Sequence, residues 1–154
     1  MVSREKILAL ARPVLDEKKF FLVSLTISST NKIVLRVDGM EGVKIEDCVK
    51  ISRVIEQGLD REEEDFELEV SSAGLDSSFM VKEQYQKNVG RNIVMKFPGG
   101  IKLEGKLIEA NEEDFVVEYQ RKEKIEGRKK KQTITETKTY KYQQVNDVKL
   151  VMNF

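Results

Sequence analysis

The chain has 154 residues, with 27 Lys/Arg, 27 Asp/Glu, a single cysteine (Cys48), no histidine and no tryptophan. This composition excludes a Ser-His or Cys-His nucleophile pair, an internal disulfide and a cysteine-based zinc site. No apolar run approaches the ~18 residues needed to span a bilayer.

An apolar content of 40% and a charged content of 35% describe a globular protein with a heavily charged surface. The length suits one domain or two small ones. Units of ~75 residues would each sit near the lower limit for a self-sufficient core. The lone cysteine suits a reducing compartment. The first ten residues lack the apolar core and cleavage site of a signal peptide, so the expected location is the cytoplasm. The two halves carry opposite charge. Residues 1–80 hold 11 Lys/Arg and 16 Asp/Glu, a balance of −5, and residues 81–154 hold 16 and 11, a balance of +5. Such halves are expected to face different partners, a polyanion for the second and something basic for the first.

Ser3 is the predicted cap of a first helix, with Ile7, Leu10, Ala11, Val14 and Leu15 at helical spacing. Pro13 is predicted to kink or interrupt it, and Lys18-Lys19 close it. Phe20 to Ser28 reads as a strand with Phe21, Val23, Leu25 and Ile27 on one face. Ser29-Thr30-Asn31 is a turn, and Ile33, Leu35 and Val37 return. Asp38 to Gly42 reads as a loop. The second helix has Ile45, Cys48, Val49, Ser52, Ile55 and Leu59 in one stripe, widened by Ile51 and Val54, and is expected to be well buried. Cys48 reads as a small apolar residue on that face. Lys44 offers no acceptor as an N-cap. Arg61 to Asp65 is a charged link, and Phe66 to Ser71 is a strand.

After the small-residue stretch Ser71-Ser72-Ala73-Gly74, the signals change. Lys82 to Val89 is at most a short helical turn. Short strands follow at Ile93/Met95/Phe97, Leu103/Gly105/Leu107, Phe115/Val117/Tyr119, Thr133 to Tyr140 and Val148/Leu150/Met152. Five short strands in some 65 residues suggest a small closed barrel, with Gly105 at a bend.

The motifs Leu35-Arg36-Val37-Asp38, Gly42-Val43-Lys44-Ile45-Glu46-Asp47-Cys48, Ile51-Ser52-Arg53, Leu59-Asp60 and Leu68-Glu69-Val70-Ser71-Ser72-Ala73-Gly74-Leu75-Asp76 occur in that order. Together with Gly90-Arg91-Asn92-Ile93-Val94, Gly105-Lys106-Leu107 and Val148-Lys149-Leu150-Val151 they resemble the bacterial RimP-type ribosome maturation factors over nearly the whole chain. The family pattern has Pro where Ala73 stands and Arg-Pro where Ser77-Ser78 stand. A phosphate or carboxylate contact made by that arginine does not carry over to Ser77.

The resemblance implies an α+β protein. Residues 1–72 would form a helix–strand–strand–helix–strand domain with a three-stranded sheet and two helices, 73–80 a hinge, and 81–154 a small Sm-like or SH3-like β-barrel. It further implies a monomer that binds the free small (30S) ribosomal subunit and assists its assembly, near 16S rRNA and a basic ribosomal protein of the decoding region. No catalysis, metal, cofactor or membrane is expected. The alternative is a general RNA-binding or RNA-chaperone module not tied to ribosomes. A carboxylate pair such as Asp38 and Asp76 is the remaining route to catalysis, and nothing in the sequence assembles one.

On charge grounds the RNA-facing candidates are Arg121, Lys122, Lys124, Arg128, Lys129, Lys130 and Lys131. They are expected on a projecting hairpin loop that carries seven cations and two acids between residues 121 and 131. That stretch has no aromatic residue, which argues against base stacking. The candidates for contact with a basic protein are Asp38, Glu41, Glu62, Glu63, Glu64 and Asp65, expected in loops. Ser71, Ser72, Gly74 and Asp76 are the expected hinge residues.

Overall fold

The computed structural model describes residues 2–74, 77–124, 127 and 131–152. The chain divides into two compact units, Met1–Gly74 and Leu75–Phe154.

The first unit runs α1 (Arg4–Lys18), β1 (Phe20–Ile27), β2 (Lys32–Gly39), α2 (Ile45–Gly58) and β3 (Glu67–Ser72). Its sheet has the order β1-β2-β3, with β1–β2 antiparallel and β2–β3 parallel. Ser3 caps α1 through its Oγ, which accepts from the Lys6 N–H, and Lys19 ends the helix in the left-handed conformation at φ 59°. Pro13 lies inside α1 without interrupting it. An interior proline costs about 3 kcal/mol. Ile7, Val14 and Leu15 are all buried, and at about 1.5–3 kcal/mol each they outweigh that cost.

The expected strand face of β1 is corrected by a bulge. Between Leu22 and Ser24 the register against β2 slips, leaving Val23 as the extra residue. Leu22, Leu25 and Ile27 therefore share the core face with Val37, Leu35 and Ile33, while Phe21 pairs with Asp38 on the other face. The α2 stripe is also corrected. Ile51 and Ile55 are its buried residues, whereas Ile45 is 84% and Val49 42% exposed. Gly58 lets the two helices approach, because a Cβ there would overlap the Leu10 side chain.

The second unit has α3 (Lys82–Lys87) and the strands β4 (Asn92–Phe97), β5 (Ile101–Ala110), β6 (Asp114–Lys124), β7 (Lys131–Lys141) and β8 (Asp147–Leu150), with a 3-10 turn at Tyr142–Gln144. All pairings are antiparallel, in the order β7-β6-β5-β4-β8. Among the described residues β7 and β8 are the edges of this sheet and do not pair with each other. The core holds Tyr85, Ile93, Met95, Leu107, Phe115, Val117, Val148 and Leu150. Gly105 sits where β5 meets β6. A Cβ there would lie 2.5 Å from Val117 Cγ1 and 3.0 Å from the Glu118 carbonyl oxygen.

Gly105→Ala should therefore destabilise the second unit by about 1–3 kcal/mol. All four tyrosines (Tyr85, Tyr119, Tyr140 and Tyr142) lie in this unit, so tyrosine fluorescence in a urea titration isolates its unfolding. An unchanged midpoint would contradict the packing.

Candidate nucleic-acid interface

The cationic segment is built by unequal strand pairing. β5 pairs with β6 only from Lys106↔Glu118 to Ala110↔Phe115. β6 pairs with β7 from Asp114↔Lys141 to Lys124↔Lys131. From Tyr119 to Lys124 the two strands continue as a ribbon, roughly 20 Å long at about 3.3 Å per residue.

The expected loop over 121–131 is thus corrected in part. Arg121, Lys122 and Lys124 belong to β6, and Lys131 opens β7. Arg128, Lys129 and Lys130 lie outside the described residues. Charged residues have low strand propensity, and the ladder with the threonine-rich β7 overrides it.

Antiparallel partners share a face, so Gln120 and Lys122 stand with Thr135 and Thr133, and Tyr119 and Arg121 stand with Glu136 and Ile134. Arg121 donates to Glu136 Oε1 from Nη2 at 2.9 Å and from Nε at 3.2 Å. The pair is exposed and adds little stability, but it turns the Arg121 guanidinium toward a carboxylate on its own ribbon. Lys122 is exposed on the opposite face, beside the exposed Gln120, Thr133 and Thr135. That face offers cation, amide and hydroxyl groups to a phosphodiester backbone. At the root of the ribbon the Tyr119 and Tyr140 hydroxyls are 2.9 Å apart, and Tyr140 packs on Phe97 at 5.1 Å.

The acidic candidates do not form one surface. Asp38 is in β2, not a loop, and is 8% exposed. Its Oδ1 accepts from the Gly39 N–H at 2.9 Å. Glu41 is exposed in the turn after β2. Glu62, Glu63, Glu64 and Asp65 lie before β3, which runs parallel to β2, and so at the opposite end of the sheet. They are separated from Asp38 by about the length of β2, roughly 25 Å.

The second acidic group is organised by Asn31, at φ 59°. Its side chain accepts from the Val2 N–H at 3.0 Å and donates to Glu64 Oε2 at 3.4 Å and the Asp65 carbonyl at 3.2 Å. Arg61 pairs with Asp65 at 3.2 Å and lies 4.1 Å from the centre of the Phe66 ring.

Two of the expected hinge residues are also corrected. Ser71 and Ser72 are ladder residues of β3, paired with Arg36 and Val37, and the Ala73 N–H still bonds to the Val37 carbonyl at 2.9 Å. Gly74 follows this ladder, and Asp76 lies outside the described residues. The Phe79 N–H bonds to the Val148 carbonyl at 2.8 Å. Cys48 is half-buried at the edge of the α2 face, and burial, then the Asp47 charge, push its thiol pKa up.

A groove in the second unit went unread in the sequence. Its volume is 480 Å3, and Phe79, Met80, Tyr85, Tyr142 and Val148 are among its lining residues. Tyr85 and Tyr142 stand 57 positions apart in the chain, so no local pattern announces their meeting. Their rings meet edge to face at 4.8 Å. Among the described residues no group of three His, Cys, Asp or Glu is placed to hold a metal, and no helix is long and apolar enough to cross a membrane.

Comparison with known proteins places this architecture. The family model described as the RimP N-terminal domain matches residues 10–76. The ribosome maturation factor RimP of Christiangramia forsetii is 38% identical over 152 residues, covering 98% of this chain and 99% of that protein. The chain belongs to the RimP family. The ribosome maturation factor RimP of Flavobacterium psychrophilum is 36% identical over 155 residues, covering the whole of both chains. That of Porphyromonas gingivalis is 36% identical over 139 residues, covering 90% of this chain and 91% of its own. RimP relatives thus span both units, including the ribbon that the N-terminal domain match leaves out.

Three phenols of this RimP family member have raised pKa values. Burial acts first on each. Tyr142 and Asp147 add to it at Tyr85, the hydrogen bond with Tyr140 at Tyr119, and Asp114, Glu112 and Glu83 at Tyr142. A phenol whose pKa is raised by folding contributes stability that is whole below the ordinary value of about 10 and is lost as pH climbs toward the folded value. The second unit should therefore weaken above about pH 10. In an absorbance titration at 295 nm, Tyr85, Tyr119 and Tyr142 should ionise above the ordinary phenol range. Tyr85, Tyr119 and Tyr142 titrating near pH 10 in the folded protein would rule this out.

Proposed function

We propose that the chain is a ribosome assembly factor that binds the free small (30S) subunit and holds a local conformation of it during maturation. The observation that carries this is the RimP match over both units. It is supported by a net +5 between residues 121 and 131, where Arg121, Lys122, Lys124 and Lys131 belong to the β6–β7 ladder. In this reading the ribbon engages 16S rRNA through phosphates, with little sequence preference and strong salt dependence. A basic ribosomal protein of the decoding region is the second contact. The factor acts as a monomer in the cytoplasm, by binding and without chemistry or a cofactor.

The second unit is taken as an Sm-like barrel. The bulge between Leu107 and Glu109, the bend permitted at Gly105 and the return of β8 onto β4 favour curvature of this kind. The two units are taken as domains, 1–72 and 81–154, joined by a hinge over 73–80. The Ala73 N–H bonded to Val37 at the end of the first ladder and the Phe79 N–H bonded to Val148 in the second unit support the placing of the hinge.

Co-sedimentation in sucrose gradients tests the reading. The chain should travel with free small subunits at ~50 mM salt and lose at least about tenfold in affinity by ~200 mM. Replacing Lys122, Lys124 and Lys131 together by Gln should weaken association about tenfold, and Arg121→Gln, which removes a cation already turned to Glu136, by about twofold or less. No association at low salt would sink the ribosomal reading. Equal affinity for unstructured RNA and for subunits would favour the general RNA-binding alternative.

A further inference from the structure

The groove of the second unit is an electrostatic exception. The half that contains it is basic, yet Glu83, Glu112 and Asp147 line the groove against one ammonium, Lys82. That ammonium is paired to Glu112. Inside, Phe79 meets Tyr85 edge to face at 4.9 Å, and Tyr85 meets Tyr142 in the same way. Met80, 64% exposed, adds a flexible apolar side chain to the lining. The carboxylates act on this floor, since Asp147 raises the Tyr85 phenol, and Glu112 and Glu83 raise the Tyr142 phenol, after burial has done so.

A phosphate would be repelled here. A cation on an apolar stem satisfies both surfaces at once, its stem against the rings and its head toward the carboxylates. The volume of 480 Å3 falls within the ~300–1,000 Å3 of built ligand sites and admits more than one side chain.

We propose that this groove takes an extended, arginine- or lysine-bearing segment of a basic protein, with a cationic side chain between the Tyr142 ring, which the buried Tyr85 backs, and the Glu83 and Asp147 carboxylates. This deepens the protein contact of the proposed function and rests on that reading only for the segment's origin. It moves the contact from the acidic residues of the first unit, which sit at opposite ends of one sheet, to a concave site whose charge and shape converge.

The test is isothermal titration calorimetry of the full chain with an end-capped ten-residue peptide alternating Arg and Val. A second peptide carries citrulline in place of Arg. The citrulline peptide should bind about tenfold more weakly or worse, as should the Arg peptide to Glu83→Gln/Asp147→Asn. Met80→Lys changes an exposed position and should also cost about tenfold by setting a cation on the groove. Glu62→Gln/Glu63→Gln in the first unit should stay within about twofold. Absent binding to the wild type sinks the proposal. So does binding indifferent to Met80→Lys and to the carboxylate pair, or an equal loss in Glu62→Gln/Glu63→Gln. The assay contains no ribosome, so a failure to co-sediment with subunits leaves a positive peptide result intact.

Discussion

The ladder between β6 and β7 is the constraint on which the second unit depends. It runs without a break in register from Asp114↔Lys141 to Lys124↔Lys131, and it does two things along its length. Near Phe115, Val117 and Tyr140 it places large side chains in or against the core. Beyond Tyr119 the neighbouring strand β5 no longer pairs with β6, and the same ladder becomes a two-stranded ribbon. Backbone hydrogen bonding alone thus carries a charged segment out to solvent. The cations there need no core of their own, because the inner half of the ladder anchors them.

The first unit solves a different problem, a small core under a three-stranded sheet. Parallel pairing of β2 and β3 requires a crossover, which α2 supplies. The bulge at Val23 lets Leu22 and Leu25 both face the helices although three positions separate them. Asn31 then ties the N-terminus, the hairpin turn and the acidic link together through its side chain, and its carbonyl accepts from the Glu67 N–H at 3.0 Å. Among the described residues no buried side-chain nitrogen or oxygen lacks a partner, which matters in a unit too small to absorb many unpaired polar groups.

Charge is arranged at two scales. The opposite signs of the halves set a long-range field of the kind that acts on the rate of encounter with a charged partner more than on affinity. Within the second half the sign reverses again at the groove, where Glu83, Glu112 and Asp147 stand around tyrosine rings. The groove and the cationic stretch lie at opposite ends of the β6–β7 ladder: Glu112 and Tyr142 flank the Asp114↔Lys141 pair, whereas Arg121 and Lys122 sit further along β6 toward the Lys124↔Lys131 pair.

The sequence by itself determined the class of the protein. Alternation and helical spacing marked the helices and strands, the capping Ser3 marked the start of α1, and the ordered motifs from Leu35 to Asp76 were enough to name the family. These are local patterns, and each is set by a few consecutive side chains. Tertiary structure decided what depends on pairing and on distance in the fold. It took Phe21 off the face it was expected to share with Leu25 and Ile27 by a bulge at Val23, drew Arg121, Lys122 and Lys124 out of an expected loop into a ladder, buried Asp38, and set the two acidic groups at opposite ends of β2. It also joined Tyr85 to Tyr142. Register between strands and contacts across dozens of residues leave no periodic trace in the chain, since they depend on which backbone hydrogen bonds form and not on which residues are adjacent.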